Sequence, residues 1–158
     1  MDATLQFLWN GRSAGRPADE ASKWATTLLE QGRESEAIRR LAGNTNLERE
    51  TADQLVKQAV RDLGLPQLLD DAALLNAYEQ ASVADYFAGR IDGWTLIERG
   101  CDFYYESGEP PAREFWIRIA CDADQHGGQG ICAEFPFHQR PFDEVLREAL
   151  LASGFASP

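Results

Sequence analysis

The sequence is poor in positive charge and in histidine. Its 158 residues include 15 Lys and Arg against 26 Asp and Glu, with only 2 His, for a formal net charge of −11 at pH 7. That deficit argues against a nucleic-acid ligand, whose phosphates demand a Lys/Arg footprint. Long apolar runs are missing too. No stretch approaches the ~18 consecutive apolar residues that cross a bilayer, and an Asp stands in the first ten residues where a secretory signal would carry positive charge. The expectation is a cytoplasmic protein that makes no membrane contact. Cysteine is scarce and odd in number: Cys101, Cys121 and Cys132 fit a reducing compartment better than a disulfide framework. There is no repeat with a period of tens of residues and no low-complexity segment, which excludes a solenoid.

What is present is enough for one ordinary domain. Hydrophobic residues make up 44% of the chain, and a chain of this length buries roughly 70% of its unfolded surface. The periodicity predicts a mainly α single domain over residues 1–158, a bundle of five or six helices. Residues 1–17, with Leu5, Phe7, Leu8 and Trp9 ahead of a turn-rich stretch, read as an N-terminal arm or short strand. A first helix opens at Pro17, carries Asp19 and Glu20 at its positive dipole end, presents Trp24, Leu28 and Leu29, and stops at Gly32. A second holds Ala37, Ile38 and Leu41 before Gly43. A third, with Asn46 as its expected cap, repeats Ala52, Leu55, Val56, Ala59, Val60 and Leu63 at helical spacing up to Gly64. A fourth runs from Asp70 or Asp71 to Ala88. A fifth, capped by Asp92, carries Trp94, Ile97, Cys101 and Tyr104 or Tyr105, and a last one opens at Pro141 and packs Val145, Leu146, Ala149 and Leu150. Between them, Phe115–Cys121 alternates like a strand yet also fits a short helix, so residues 115–137 could hold a small two-stranded element.

Charge is unevenly placed. Up to Gly64 there are 9 Lys/Arg against 10 Asp/Glu, a net of −1; beyond it there are 6 against 16, a net of −10. Such asymmetry speaks to partners rather than to folding. In the fifth helix Glu98, Asp102 and Glu106 are four residues apart and stack on one face, at a cost of about 0.2–0.5 kcal/mol per like-charged pair. Phe103, Tyr104 and Tyr105 flank this ridge, and aromatic groups beside charge can anchor a contact. A solvated helix face is the plain alternative. The residues expected to contact a partner are Glu98, Asp102, Tyr105 and Glu106, with Asp122 and Asp124 behind them.

Other constellations carry less. Cys101, Cys121, His126, Cys132 and His138 are residue types that zinc prefers, but no Cys-x2-Cys or His-x3-His pair lets one turn supply two ligands, so no metal and no cofactor is expected. A Cys/His nucleophile pair is disfavoured by the acidic surroundings, which raise a thiol pKa. The glycines at 127, 128 and 130 match neither a dinucleotide fingerprint nor a P-loop. Trp24, Trp94 and Trp116 fall on apolar faces or edges and are expected in the core, whereas Trp9 reads as a surface anchor.

Leu28-Leu29-Glu30-Gln31-Gly32 leading to Ile38-Arg39-Arg40-Leu41-Ala42-Gly43, and then Phe87-Ala88-Gly89-Arg90-Ile91-Asp92-Gly93 followed by Gly100-Cys101, resemble patterns in small helical bacterial proteins of the toxin-immunity type. The likeness covers helix ends and joints in pieces. It implies a non-enzymatic protein that binds and blocks a toxin, with no catalytic residue to carry over, and a basic, nuclease-type toxin as the partner whose surface carboxylates could cover. The competing reading is a small metal-binding protein or enzyme built on the 121–138 Cys/His/Asp segment, and a third is a structural or regulatory subunit.

Overall fold

A computed structural model describes residues 2–14, 17–108, 113–124, 134–137 and 139–155. Among them are eight α-helices and one 3-10 turn: α1 Ala3–Ala14, α2 Ala18–Glu30, α3 Glu36–Ala42, α4 Arg49–Asp62, the 3-10 turn Pro66–Leu69, α5 Asp71–Phe87, α6 Gly93–Glu106, α7 Glu114–Asp124 and α8 Phe142–Ala152. Two compact units divide the chain, Met1–Tyr78 and Glu79–Pro158, with the boundary inside α5. The six helices expected from periodicity are all present, and α1 and α7 are added to them.

The first unit is built on α2, α3 and α4. In α2, Ala21, Ser22, Trp24, Ala25 and Leu28 are buried, a three-and-four spacing that lines one face. The buried Ser22 hydroxyl donates to the Ala42 carbonyl at the end of α3 at 3.2 Å. Ser35 caps α3, its Oγ accepting from Ile38 N at 3.3 Å, and Ala37, Ile38 and Leu41 face inward. The predicted stripe Ala52, Leu55, Val56, Ala59 and Val60 of α4 is buried as a set. Its start differs: α4 begins at Arg49 with Glu48, not Asn46, at the cap position.

The expected arm or strand at the N-terminus is instead α1. Asp2 supplies the start signal, because its Oδ1 accepts from Thr4 N at 2.8 Å. Leu5 and Leu8, one turn apart, are buried, and Phe7 stacks on Trp24 of α2 with centroids 4.4 Å apart. Trp9 is no free anchor: it is half-buried and stacks on Tyr78 at 4.4 Å.

In the second unit α6, α7 and α8 share an aromatic core. Trp116 and Phe103 are fully buried and meet edge to face at 5.9 Å. Phe115, Phe135, Phe137 and Phe142 extend the cluster. The strand reading of 115–121 is overturned. Phe115, Trp116, Ile119 and Ala123 recur at helical spacing and are buried, while Ile117 and Cys121 of the apparent alternation are half-buried and exposed. No strand occurs among the described residues, and 131–133 of the supposed second strand lie outside them. Gly100 permits the close approach of α6 and α7. A Cβ there would sit 2.9 Å from Trp116 Cγ and closer still to Cδ2 and Cε3. A buried carboxylate completes the joint: Glu79 accepts from Trp116 Nε1 at 2.7 Å and pairs with Arg113 at 3.1 Å. Tyr86 ties α5 to α8 by donating to Asp143 Oδ1 at 3.0 Å.

Among the described residues, no helix is long and apolar enough to cross a membrane.

Candidate functional site: the outer face of α6

Asp92 starts α6. Its Oδ1 accepts from Thr95 N at 2.7 Å, and that bond to the orphan N–H holds its carboxyl below the usual carboxylate range. From there Gly93, Leu96, Ile97, Gly100 and Phe103 turn inward. Their inward packing fixes which residues turn out. At 100° per residue, Trp94, Glu98, Asp102 and Tyr105 share an arc of about 80° on the opposite side and span about 16 Å along the axis. All four are exposed, Trp94 by 43% and Tyr105 by 62%. Glu106 is exposed at the end of the same helix.

The electrostatics of this face are those of crowded like charge. Partial burial first, and then Glu106 and Glu98, push the Asp102 carboxyl above its ordinary value. Cys101, half-buried at the edge towards α7, has its thiol pushed up by burial and by the charge of Asp102 and Asp124, with Cys121 and Glu98 contributing. The same field therefore links Asp124, at the exposed C-terminal end of α7, with the α6 carboxylates. A neutral, protonated thiol in that setting is a poor nucleophile.

Several cations of the second unit have partners of their own. Arg90 pairs with Asp85 at 2.7 Å, Arg113 with Glu79, and Arg118 with Glu134 at 3.1 Å. Arg140 holds Glu144 and Glu148, Arg99 reaches the Ser82 hydroxyl at 3.3 Å, and Arg147 lies over the rings of Tyr86 and Phe87. Glu98, Asp102 and Asp124 have no ion-pair partner among the described residues. Chemically, such a face can attract and hold cations presented by another molecule.

Of the six residues expected at a contact, Glu98, Asp102, Tyr105 and Glu106 come together on α6, and Asp124 joins their field from α7. Asp122 does not. It is 5% exposed and its Oδ2 accepts from the backbone N–H groups of Glu134 at 3.1 Å and Phe135 at 2.9 Å. Its carboxylate holds a turn, because helical spacing carries position 122 to the buried side with Ile119 and Ala123. Trp94, expected in the core, is the residue that sequence reasoning missed. Its signal was available: it lies one turn before Glu98 on the same stripe. Trp94 stacks on Phe142 at 4.8 Å and keeps its other face in solvent.

Among the described residues no group of three or more His, Cys, Asp or Glu is placed to hold a metal. His126, Cys132 and His138 of the metal or enzyme alternative lie outside the described residues.

Comparison with known protein families, with curated proteins and with solved structures finds no match to this chain.

Proposed function

We propose that this chain is an acidic protein-binding module, an immunity-type protein that docks on a basic toxin and blocks it. The observation that carries the reading is the outer face of α6, where Glu98 and Asp102 lack an ion-pair partner among the described residues and stand beside a tyrosine 62% exposed. Carboxylates without counter-charge are desolvated at low net cost when a partner supplies the cation. They also steer its approach, so complementary charge acts mainly on the association rate and on selection of the partner. The acidity of the chain beyond Gly64, 6 Lys/Arg against 16 Asp/Glu, widens the field that does the steering. A nuclease-type toxin, whose own surface must attract phosphate, has the matching charge.

The test is affinity capture from source-cell lysate at low salt and at ~0.5 M salt, where screening shrinks the reach of surface charge to a few ångströms. Stopped-flow association with the captured protein follows, using the wild type and the Asp102→Lys/Glu106→Lys variant. A basic partner whose association slows with salt, and slows about tenfold or more in the charge-reversed variant, is the expected result. Association that ignores both salt and charge reversal overturns the proposal.

A further inference from the structure

The outer face of α6 is more than an acidic ridge, because its two ends are apolar. Only three large hydrophobic side chains of the described residues are exposed, namely Trp94, Tyr105 and Leu151, and two of them belong to this face. They bracket Glu98 and Asp102, one at each end of about three helical turns. Isolated exposed apolar groups need no explanation, but two on one stripe, with carboxylates between them that have no ion-pair partner among the described residues, form an ordered pattern. Neither ring is there to fill the core. Trp94 is supported from below by Phe142 at 4.8 Å, and Tyr105 is braced edge to face by Tyr104 at 5.5 Å. The Trp94 ring is thus held in place before any partner arrives, which lowers the ordering cost of a contact.

We infer that Trp94, Glu98, Asp102 and Tyr105 form a docking face for a basic α-helix of the partner protein, a helix with Lys or Arg in its middle turns and an apolar residue at each end. The inference rests on the docking reading above and specifies its contact. Charge complementarity selects the occupant: the middle of the face is anionic and without ion-pair partners among the described residues. Periodicity selects its conformation. The four side chains recur once per turn along a straight ridge, and a second helix laid beside it offers one side chain per turn to meet each of them. The rings take the apolar ends and the aliphatic stems of the flanking cations, with the indole face open to a cation as well.

The experiment measures binding of synthetic peptides to the full chain by fluorescence anisotropy. One is a lysine-rich helical peptide with leucines three turns apart; a second has the leucines replaced by serine; a third keeps the leucines and carries a central proline. The first should bind about tenfold or more tightly than either of the others, and Tyr105→Ser and Glu98→Lys should each remove that advantage. Trp94→Ser is a supporting variant only, since it also loses the stack on Phe142; Tyr105 is mostly in solvent, so its replacement keeps the fold out of the comparison. Equal binding of the leucine and serine peptides, abolished by Glu98→Lys, overturns the apolar brackets and leaves the acidic docking reading standing. Equal binding of the proline peptide overturns the helical occupant. Binding indifferent to Glu98→Lys overturns both this inference and the docking reading.

Discussion

Gly100→Ala sets two physical arguments against each other. Judged by the helix alone, alanine in the interior of α6 should stabilise by about 1 kcal/mol over glycine. The packing says the opposite. The new methyl carbon would stand 2.9 Å from Trp116 Cγ and closer to two further ring atoms, where apolar carbons prefer about 3.5–4.0 Å. The ring has little freedom to yield: Trp116 is 1% exposed and its Nε1 is bound to Glu79 at 2.7 Å. Overpacking of this kind costs about 1–3 kcal/mol, and if the indole shifts enough to break its bond to the carboxylate a further ~1.5–3 kcal/mol is lost. After subtracting the propensity gain, the net expectation with the indole bond broken is destabilisation by about 1.5–5 kcal/mol. At an m-value of about 2 kcal/mol/M, a loss of 3 kcal/mol lowers the urea midpoint by about 1.5 M, measurable by far-UV circular dichroism. Trp116→Leu, which removes Cε3, the ring atom nearest the new methyl, should shrink the effect of Gly100→Ala in a double-mutant cycle. A Gly100→Ala protein as stable as the wild type would refute the close packing of α6 on α7.

Asp122→Ala should leave the N–H groups of Glu134 and Phe135 without their acceptor, at a cost of about 1–3 kcal/mol, and hydrogen exchange at those two amides should accelerate ahead of the helical core; unchanged protection would show that the carboxylate is not what holds the turn. Asp102→Asn should raise stability near neutral pH. The folded-state pKa of Asp102 is pushed up by burial and then by Glu106 and Glu98. Between the unfolded and folded values the folded chain therefore holds the proton more tightly than the unfolded one, and stability falls as pH rises through that window. Thermal melts should show the variant ahead at about pH 7 and the difference gone at about pH 3, where the wild-type carboxyl is protonated; a gain that persists at low pH would mean that charge is not its cause.

Six helices were legible because their signals are local. Apolar residues at three- and four-residue spacing, a capping Asp92, and glycines at the ends act within one or two turns of chain. The α6 carboxylate ridge was legible for the same reason, since spacing alone puts Glu98, Asp102 and Glu106 together. Where local signals conflict, they failed. The Asn10-Gly11 pair in α1 reads as a turn, and Ile117, Ile119 and Cys121 of α7 alternate as a strand would. Both segments are helical because of what their side chains meet: Phe7 finds Trp24 in the first unit, and Trp116 finds Gly100, Phe103 and Glu79 in the second.

The division between the two levels follows from reach. Helix periodicity, end signals and charge order are properties of neighbours along the chain, so composition and spacing decide that this protein is helical, acidic and ridged on α6. Burial depends on neighbours in space. Packing gives Asp122 its backbone partners at 134 and 135 and gives Trp94 its stack on Phe142. Partners such as Glu79 and Trp116 are 37 positions apart, a separation at which no sequence pattern couples one side chain to another, and only the folded chain brings their hydrogen bond together.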